Sequence, residues 1–164
     1  HFTFLKMAQI QTAQQLKDIA TPYSNIDIEY FENNIEFWQY ETLQKVLTTA
    51  LYDEILLQIE AVTVTVANQL LIDKYIKFAE AYGVAFLTMK KDVIAQLSNQ
   101  GVMANRTDFS NSEKSKMVLK EYKEREFIYL KDLGCFLLEN KVDYPLFDYE
   151  NTFLAVDFRD FVIL

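Results

Sequence analysis

The sequence predicts a mainly α-helical protein, and three observations support this prediction. Hydrophobic residues make up 51% of the 164 residues. Only three glycines and two prolines occur, so the residues that usually end short strands and turns are scarce. Apolar residues recur at spacings of three and four over long stretches, which is the period of one helix face. We therefore expect one helical-bundle domain with long antiparallel helices over residues 1–149, followed by an extended C-terminal tail over residues 150–164.

The first two helices are predicted in the N-terminal third. A short helix spans roughly Thr12 to Ala20 and ends before Pro22, which disfavours helical backbone at the residue before it. A second helix begins near Asp27, a residue suited to capping a helix. Its buried face is predicted to hold Ile28, Phe31, Ile35, Trp38, Thr42 and Val46. The pattern continues, after a bend, to Ile59.

The middle of the chain holds the strongest periodic pattern. Val62 to Val66 alternates β-branched residues and is typical of an extended connector or a short strand. A long helix is predicted from about Ala67 to Leu97. Gly83 lies inside this helix, where it costs about 1 kcal/mol relative to alanine, and it predicts a close helix–helix approach. One face of the helix is formed by Leu71, Tyr75, Phe78, Tyr82, Phe86, Met89, Val93 and Leu97.

A loop and a charged helix are predicted next. Ser98 to Asn111 is polar, contains Gly101, and has a length at which loops are often functional. The helix after it is expected to begin at a cap on Ser110 or Ser112 and to run to about Glu139. Its inward face, interrupted by Glu126, is predicted to hold Leu119, Tyr122, Leu130, Leu133 and Leu137.

The C-terminal segment from Lys141 to Leu164 combines acidic and aromatic residues. Its aromatics are Tyr144, Phe147, Tyr149, Phe153, Phe158 and Phe161. Two interpretations stay open: the segment folds over its own helices, or it docks on a neighbouring subunit, for instance as one or two strands added to a sheet edge. If it docks, a chain cut after Tyr149 is predicted to fold but not to assemble.

Several kinds of chemistry are disfavoured by the composition. The formal net charge of -8 repels a phosphate backbone, so free nucleic acid is a poor partner. His1 and Cys135 are the only residues of their types, which leaves no histidine-dependent triad, zinc set or di-iron motif. No phosphate-binding glycine motif occurs, and no apolar run reaches the ~18 residues of a membrane span. We therefore predict no catalytic residues, no metal and no cofactor, and we expect Cys135 to be buried and inert.

Two charged patterns have competing interpretations. Glu36 with Glu41, or Asp53 with Glu54, could serve as an acid and a base, but a solvated helix face is the favoured interpretation. A basic run interleaved with glutamates is likewise predicted to be a solvated face. This run contains Lys114, Lys116, Lys120, Lys123 and Arg125.

The order of segments resembles a known family. The chain contains NIDIEYFENNIEFWQYETLQKVLTTALYDEIL, then LLIDKYIKFAEAYGVAFL, then LSNQGVMANRTDFSNSEKSKM, and finally LGCFLLENKVDYPLFDY. The LSNQGV entry to the predicted loop and the LLENKVDYP exit from the last helix are its most characteristic parts. Over about Ile26 to Tyr149 the sequence is similar to the small head–tail connector, or head-completion, proteins of tailed bacteriophages, particularly those of Bacteroidetes-type hosts. Ala50 departs from this pattern, since the family has a glycine before LY.

This resemblance implies a non-catalytic structural protein of the virion, assembled in the host cytoplasm. Such proteins form a ring of identical subunits, often twelve, between the capsid portal and the tail proteins, and DNA passes through the ring without being specifically bound. No cofactor and no membrane are implied. The contacts implied for the loop and the terminal segments fall on Gly101, Val102, Met103, Arg106, Phe109, Phe147, Tyr149, Phe153, Phe158, Arg159 and Phe161. Two alternatives remain, a small acidic helical protein-binding module and an enzyme that uses carboxylates alone.

Overall fold

The computed structural model describes residues 9–20, 28–99 and 106–152, with residues 91–99 and 106–112 described by their backbone alone. Within these ranges the chain is helical apart from short connections, and it contains no strand. The predicted mainly α fold is confirmed. The helices form five continuous stretches, two of which contain a π-helical turn.

The bounds of the elements follow the predicted order closely. The five stretches are α1 (Ala13–Ala20); α2 (Ile28–Trp38) continuing through π1 (Gln39–Leu43) into α3 (Gln44–Leu47); α4 (Thr49–Glu60); α5 (Val66–Leu71) continuing through π2 (Ile72–Ile76) into α6 (Lys77–Asn99); and α7 (Arg106–Glu139). In each π turn a backbone N–H bonds five residues back, from Gln44 to Gln39 and from Lys77 to Ile72.

The predicted loop between the last two helices is too long. Helix α6 continues to Asn99 and α7 begins at Arg106, so residues 100–105 alone separate these two helices in the sequence. Ser110 and Ser112 lie inside α7 and therefore cannot be its N-terminal caps. The prediction was wrong because it took a polar stretch as a loop, whereas residues 102–133 contain no glycine or proline that would interrupt a helix.

Two short connections separate the middle helices. The bend predicted after Val46 is confirmed at Thr48, whose φ of 65° and ψ of 156° break the helix between α3 and α4. Residues 61–65 form a turn and an extended connector without a strand. Thr65 caps α5, because its hydroxyl accepts a 3.3 Å hydrogen bond from the backbone N–H of Asn68.

Helix α6 lies at the centre of the bundle and contacts α1, α2 and α7. Most of the predicted α2 face is buried there, including Phe31, Ile35 and Trp38. Between Tyr75 and Met89 the predicted stripe is instead half-buried, and three of its aromatic rings contact rings of α7 with centroids 5.0–6.0 Å apart. The pairs are Tyr75 with Phe136, Phe78 with Tyr129, and Tyr82 with both Tyr122 and Tyr129.

The described part of the C-terminal segment packs against the chain's own helices. The Tyr144 hydroxyl donates a 2.9 Å hydrogen bond to the Ala67 carbonyl at the start of α5. Phe147 is 6% exposed, and the buried Thr152 hydroxyl donates to the Val46 carbonyl at 2.7 Å. Up to Thr152, the segment therefore folds over the chain's own helices, which is the first of the two predicted interpretations. Residues 153–164, where strands were predicted as an alternative, lie outside the described residues.

Candidate functional site

A row of exposed aromatic side chains lies on the surface of α2. Tyr30, Phe37 and Tyr40 are 55%, 57% and 55% exposed, although phenylalanine and tyrosine elsewhere in the helices are mostly packed. Positions 30, 37 and 40 share one face because they are separated by two turns and by one turn of helix. Glu29, Glu32 and Glu36 are also exposed on α2. We call these six residues the α2 outer face.

The charge of the α2 outer face is strongly one-sided. Residues 28–43 contain four glutamates and no lysine or arginine. The fourth, Glu41, makes a 2.7 Å ion pair with Lys45. Aromatic rings attract cations through their faces, and carboxylates pair with them directly. The arrangement is therefore suited to contact a surface that presents lysine or arginine together with apolar groups.

The inner side of the same helix is fixed by buried polar pairs. Asn34 donates to the Thr88 hydroxyl at 3.1 Å, Gln39 donates to Glu80 at 2.6 Å, and Trp38 donates to Glu126 at 2.7 Å. The first two pairs run in opposite directions along α2 and α6, so the helices are antiparallel. A register shift would leave buried polar groups without partners, which costs about 1–3 kcal/mol each.

Trp38 explains two residues that break the apolar pattern. A Cβ atom on Gly83 would lie 2.0 Å from Trp38 Nε1, so only glycine allows the indole to pass α6. The close approach predicted for Gly83 is confirmed. Glu126 accepts from Trp38 through Oε1 and from the Lys123 ammonium through Oε2, both at 2.7 Å. Glu126, which interrupts the apolar face of α7, is therefore an inward-facing carboxylate with two hydrogen-bond partners.

A second buried polar group lies where α2 enters π1. Gln39 and Glu80 are fully buried and Tyr52 is nearly so. Among the described residues, Gln39 Oε1, Glu80 Oε2 and the Tyr52 hydroxyl have no hydrogen-bond partner. Burial raises the pKa of Glu80 to about 8, and the hydrogen bond from Gln39 opposes this. Burial, followed by the charge of Glu80, raises the pKa of Tyr52 to about 12.

A shallow groove of about 610 Å³ lies between α3, α4 and the C-terminal segment. Its lining includes Gln44, Lys45, Thr48, Asp148 and Asn151. Asp148 accepts hydrogen bonds from Glu150 and Asn151, and the bond from the Asn151 amide is the main cause of its lowered pKa. These bonds fold the segment into turns, and the Asp148 N–H donates to the Thr48 hydroxyl at 3.3 Å.

The predicted contact residues are dispersed. Gly101, Val102 and Met103, together with Phe153, Phe158, Arg159 and Phe161, lie outside the described residues. Arg106 and Phe109 lie in the first turns of α7, where the backbone alone is described. Phe147 belongs to the chain's own core, which leaves little of its ring for a partner. Tyr149 is 47% exposed, and the Lys141 ammonium lies 3.7 Å from its ring centroid.

Other predictions about single residues have mixed outcomes. Cys135 is exposed on α7, so the prediction that it is buried was wrong. Its neighbours Gly134 and Phe136 suggested a buried position, but they are buried and half-buried while Cys135 faces solvent. The basic run is a solvated face, as predicted. Its charges pair with neighbouring glutamates, as in the 2.7 Å pair of Arg125 with Glu121.

The described residues contain neither a metal site nor a membrane-spanning helix. No group of three or more histidine, cysteine, aspartate or glutamate side chains there could hold a metal ion. Within the same ranges, no helix combines the length and apolarity needed to cross a bilayer.

Sequence reasoning missed the α2 outer face, although the signal was present. The core positions Phe31, Ile35 and Trp38 fix the phase of the helix. Tyr30, Phe37 and Tyr40 lie out of that phase, so the helical period alone places them on the surface. Aromatic residues make up 15% of the sequence, but this content alone does not assign them to a helix face.

Comparison with known proteins identifies one family. The model of a family of unknown function, DUF6712, matches residues 43–154, which is about two thirds of the chain. The match includes the groove, Glu80, Gly83 and α7, and it leaves out α1 and the α2 outer face. Comparison with curated proteins and with solved structures found no match.

Proposed function

Since the chain belongs to the DUF6712 family, whose description assigns no activity, we propose its function from its surface and its resemblance. We propose that it is a non-catalytic structural protein of a phage virion. It forms a ring between the capsid portal and the tail, and it assembles in the host cytoplasm. Its partners are further copies of itself, the portal protein and tail proteins.

The observation that carries this proposal is the α2 outer face. Three aromatic side chains of one helix remain more than half exposed. Aromatic residues are enriched at protein interfaces, where burying them contributes much of the binding energy. A rigid helix also presents them at little cost in conformational entropy. The described helices therefore build a contact surface that they do not themselves cover.

A complementary surface is present on α7 of the same chain. Residues 113–120 contain three lysines and one glutamate, and Met117 is exposed among them. In a protein of net charge -8, this stretch is a rare local excess of positive charge. Contact between the α2 outer face of one subunit and this stretch of the next would join two different surfaces. Repetition of such a contact closes into a ring when the rotation between subunits fits.

The acidic composition agrees with a wall along which DNA moves. Each phosphate contact made by lysine or arginine releases counterions and strengthens binding. A channel that released DNA would need few such contacts. Accordingly, we propose that DNA passes through the ring without being specifically bound.

Charge reversal on each surface tests the proposed contact. We expect the wild-type chain to form a discrete species of ten or more subunits by light scattering across a concentration series. Glu32→Lys with Glu36→Lys should lower the mass by placing positive charge against Lys116 and Lys120, and Lys116→Glu with Lys120→Glu should do the same from the other side. Combining all four substitutions in one chain should restore the large species.

Light scattering also measures the control variant and the outcome that would contradict the proposal. Glu60→Lys with Glu139→Lys makes the same change in net charge as Glu32→Lys with Glu36→Lys, at exposed positions of α4 and α7, and it should leave the mass unchanged. A wild-type chain that stays monomeric both alone and with a candidate portal ring would contradict the connector function. It would favour the alternative, a small acidic helical protein-binding module, which the α2 outer face also suits.

A further inference from the structure

Val62 is an exposed apolar residue in a backbone conformation that disfavours valine. It follows the end of α4 with a φ of 54°, and it is 89% exposed. Its backbone N–H donates to the Ile59 carbonyl at 3.1 Å. The next N–H, of Thr63, donates to the Gln58 carbonyl at 2.9 Å, which completes the Schellman motif that ends many helices. Glycine usually occupies this point of the motif, because a Cβ atom makes left-handed backbone costly.

The apolar exposure extends to two further valines. Val66, the first residue of α5, is 90% exposed, and Val142, in the turn after α7, is 93% exposed. Among the residues whose side chains are described, no other large hydrophobic side chain is more than 70% exposed. The three most exposed large apolar residues of this part of the chain therefore gain no burial within it.

Hydrogen bonds place the three valines at one end of the bundle. Gln58 Oε1 accepts from the Thr65 N–H at 3.1 Å, which ties the end of α4 to the residue before α5. The Tyr144 hydroxyl donates to the Ala67 carbonyl at 2.9 Å, which holds the turn after α7 beside the start of α5. The name end patch is used below for Val62, Val66 and Val142.

The charge around the end patch is acidic. Residues 54–66 and 139–146 build this end, and they contain four acidic residues and one lysine. The ammonium of that lysine, Lys141, lies 3.7 Å from the centroid of the Tyr149 ring. Two copies meeting through this end would bring like charges together, which disfavours self-contact here. A partner that carries lysine or arginine around apolar groups is complementary.

We propose that the end patch binds a different protein, whose surface presents apolar side chains edged by lysine or arginine. Burial of the valine side chains contributes affinity, and the acidic surroundings select and orient the partner. Binding then offsets the backbone strain and the exposure, which nothing in the described fold compensates. The inference adds a second surface to the proposed function. It does not depend on the ring, because it applies equally to the monomeric alternative.

A basic amphipathic peptide tests the proposal on the full chain. The chain carries Glu32→Lys and Glu36→Lys, so that the α2 outer face repels the probe. The probe is a fluorescent helical peptide of leucine and lysine with one apolar face, and its counterpart has glutamate in place of lysine. By fluorescence anisotropy we expect the lysine peptide to bind and the glutamate peptide not to bind. Adding Val62→Ser with Val142→Ser should lower the affinity about ten-fold.

Matched variants locate the binding. Ile128→Ser removes an apolar side chain that is 53% exposed on α7 and lies outside the end patch, so it should leave the affinity unchanged. Glu60→Lys with Glu139→Lys reverses charge at the same end of the bundle and should weaken binding, although it is expected to leave the mass of the ring unchanged. An unchanged affinity after Val62→Ser with Val142→Ser would overturn the proposal.

Two other occupants of the end patch would give different results. If a second copy covered it, Val62→Ser with Val142→Ser in an otherwise wild-type chain would lower the mass of the oligomer in light scattering. If residues 153–164 of the same chain covered it, a chain ending at Thr152 would bind the lysine peptide more tightly than the full chain. Either result would overturn the proposal.

Val62→Gly provides a readout that does not need the peptide. Glycine fits left-handed backbone, so this variant should lower the unfolding equilibrium constant in urea about five-fold. It should also lower the affinity for the lysine peptide. A gain in stability with a loss of binding is the result expected of a residue that serves a contact outside the chain. A variant less stable than wild type would show that Val62 serves the fold itself, which contradicts the proposal.

Discussion

At the scale of single residues, Glu80 makes the stability of the protein depend on pH. Its pKa is about 8 in the folded chain and 4.5 in an ordinary exposed glutamate. The folded chain therefore holds a proton that the unfolded chain releases between these two pH values. The resulting stabilisation is complete below pH 4.5 and is lost as the pH rises through about 8. Tyr52, the titratable group that senses Glu80, ionises near pH 12 and does not change in this range.

Replacing Glu80 tests this dependence. Glu80→Gln keeps the shape and an acceptor but cannot ionise, so the variant should gain stability relative to wild type as the pH rises from 5 to 8. The gain should grow by roughly 1.4 kcal/mol for each pH unit at most. Urea unfolding at several pH values measures it, with the exposed Glu60→Gln as control. Parallel pH profiles for wild type and Glu80→Gln would show that Glu80 is not the titrating group.

Position 83 requires glycine because the Trp38 indole leaves no room for a Cβ atom, and not because of its backbone conformation. Gly83→Ala would place a Cβ 2.0 Å from the indole nitrogen, so we expect a loss of about 1–3 kcal/mol even though alanine is the better helix former. Calorimetric or urea unfolding measures this loss. In a Trp38→Leu background the contact is absent, and the same substitution should then cost less. Equal costs in both backgrounds would rule out the steric explanation.

At the scale of elements, Thr48 holds the junction between α3 and α4 in an unfavourable conformation. Its φ of 65° and ψ of 156° lie in a region that is occupied almost only by glycine. The Thr48 hydroxyl accepts a hydrogen bond from the Asp148 N–H and so ties the C-terminal segment to this junction. At Thr48, backbone strain therefore destabilises the fold while the side-chain hydrogen bond stabilises it.

Two substitutions separate the strain from the tether. Thr48→Ala removes the hydroxyl and keeps the strain, whereas Thr48→Gly removes both. We expect Thr48→Gly to be more stable than Thr48→Ala by about 1–3 kcal/mol, the energy of a residue held in this region. Urea unfolding of the two variants compares them directly. An alanine variant as stable as the glycine variant would show that the backbone is not strained.

The positions of the elements were largely predictable, and the exceptions have physical causes. Helical spacing located α1, α2, α4, α6 and the end of α7, because burial of an apolar face is a local, periodic property. The start of α7 was missed because polar residues signal contact with solvent, and a solvated helix has the same composition as a loop. The inward orientation of Glu126 depends on Trp38, which lies 88 positions away in the chain, and no local pattern records such a pairing.

The candidate contact surface was only partly predictable for the same reason. Aromatic residues make up 15% of the sequence, but their division between core, helix–helix contact and surface depends on tertiary packing. Tyr75, Phe78 and Tyr82 are used between α6 and α7, whereas Tyr30, Phe37 and Tyr40 remain on the α2 outer face. The predicted contacts that fall on residues 100–105 and 153–164 stay predictions.

At the scale of the whole molecule, the C-terminal segment divides into a part that stabilises the fold and a part predicted to contact a partner. Tyr144, Phe147 and Thr152 are buried. Tyr144 is hydrogen-bonded to Ala67 of α5, and Thr152 is hydrogen-bonded to Val46 of α3. The boundary of the folded unit therefore lies at or beyond Thr152, a little later than the predicted cut after Tyr149. This moves the informative truncation to Thr152.

Two truncated chains test this division. A chain ending at Thr152 keeps every described contact of the segment, so it should unfold at the same urea concentration as the full chain. A chain ending at Asp143 loses the burial of Tyr144 and Phe147, and full burial of such a ring contributes roughly 1.5–3 kcal/mol. It should therefore be several kcal/mol less stable.

If Phe153, Phe158 and Phe161 contact a neighbouring subunit, the chain ending at Thr152 should stay monomeric by light scattering where the full chain assembles. A chain ending at Thr152 that assembles normally would exclude these three residues from the contact, whereas one that unfolds would assign residues 153–164 to the fold itself.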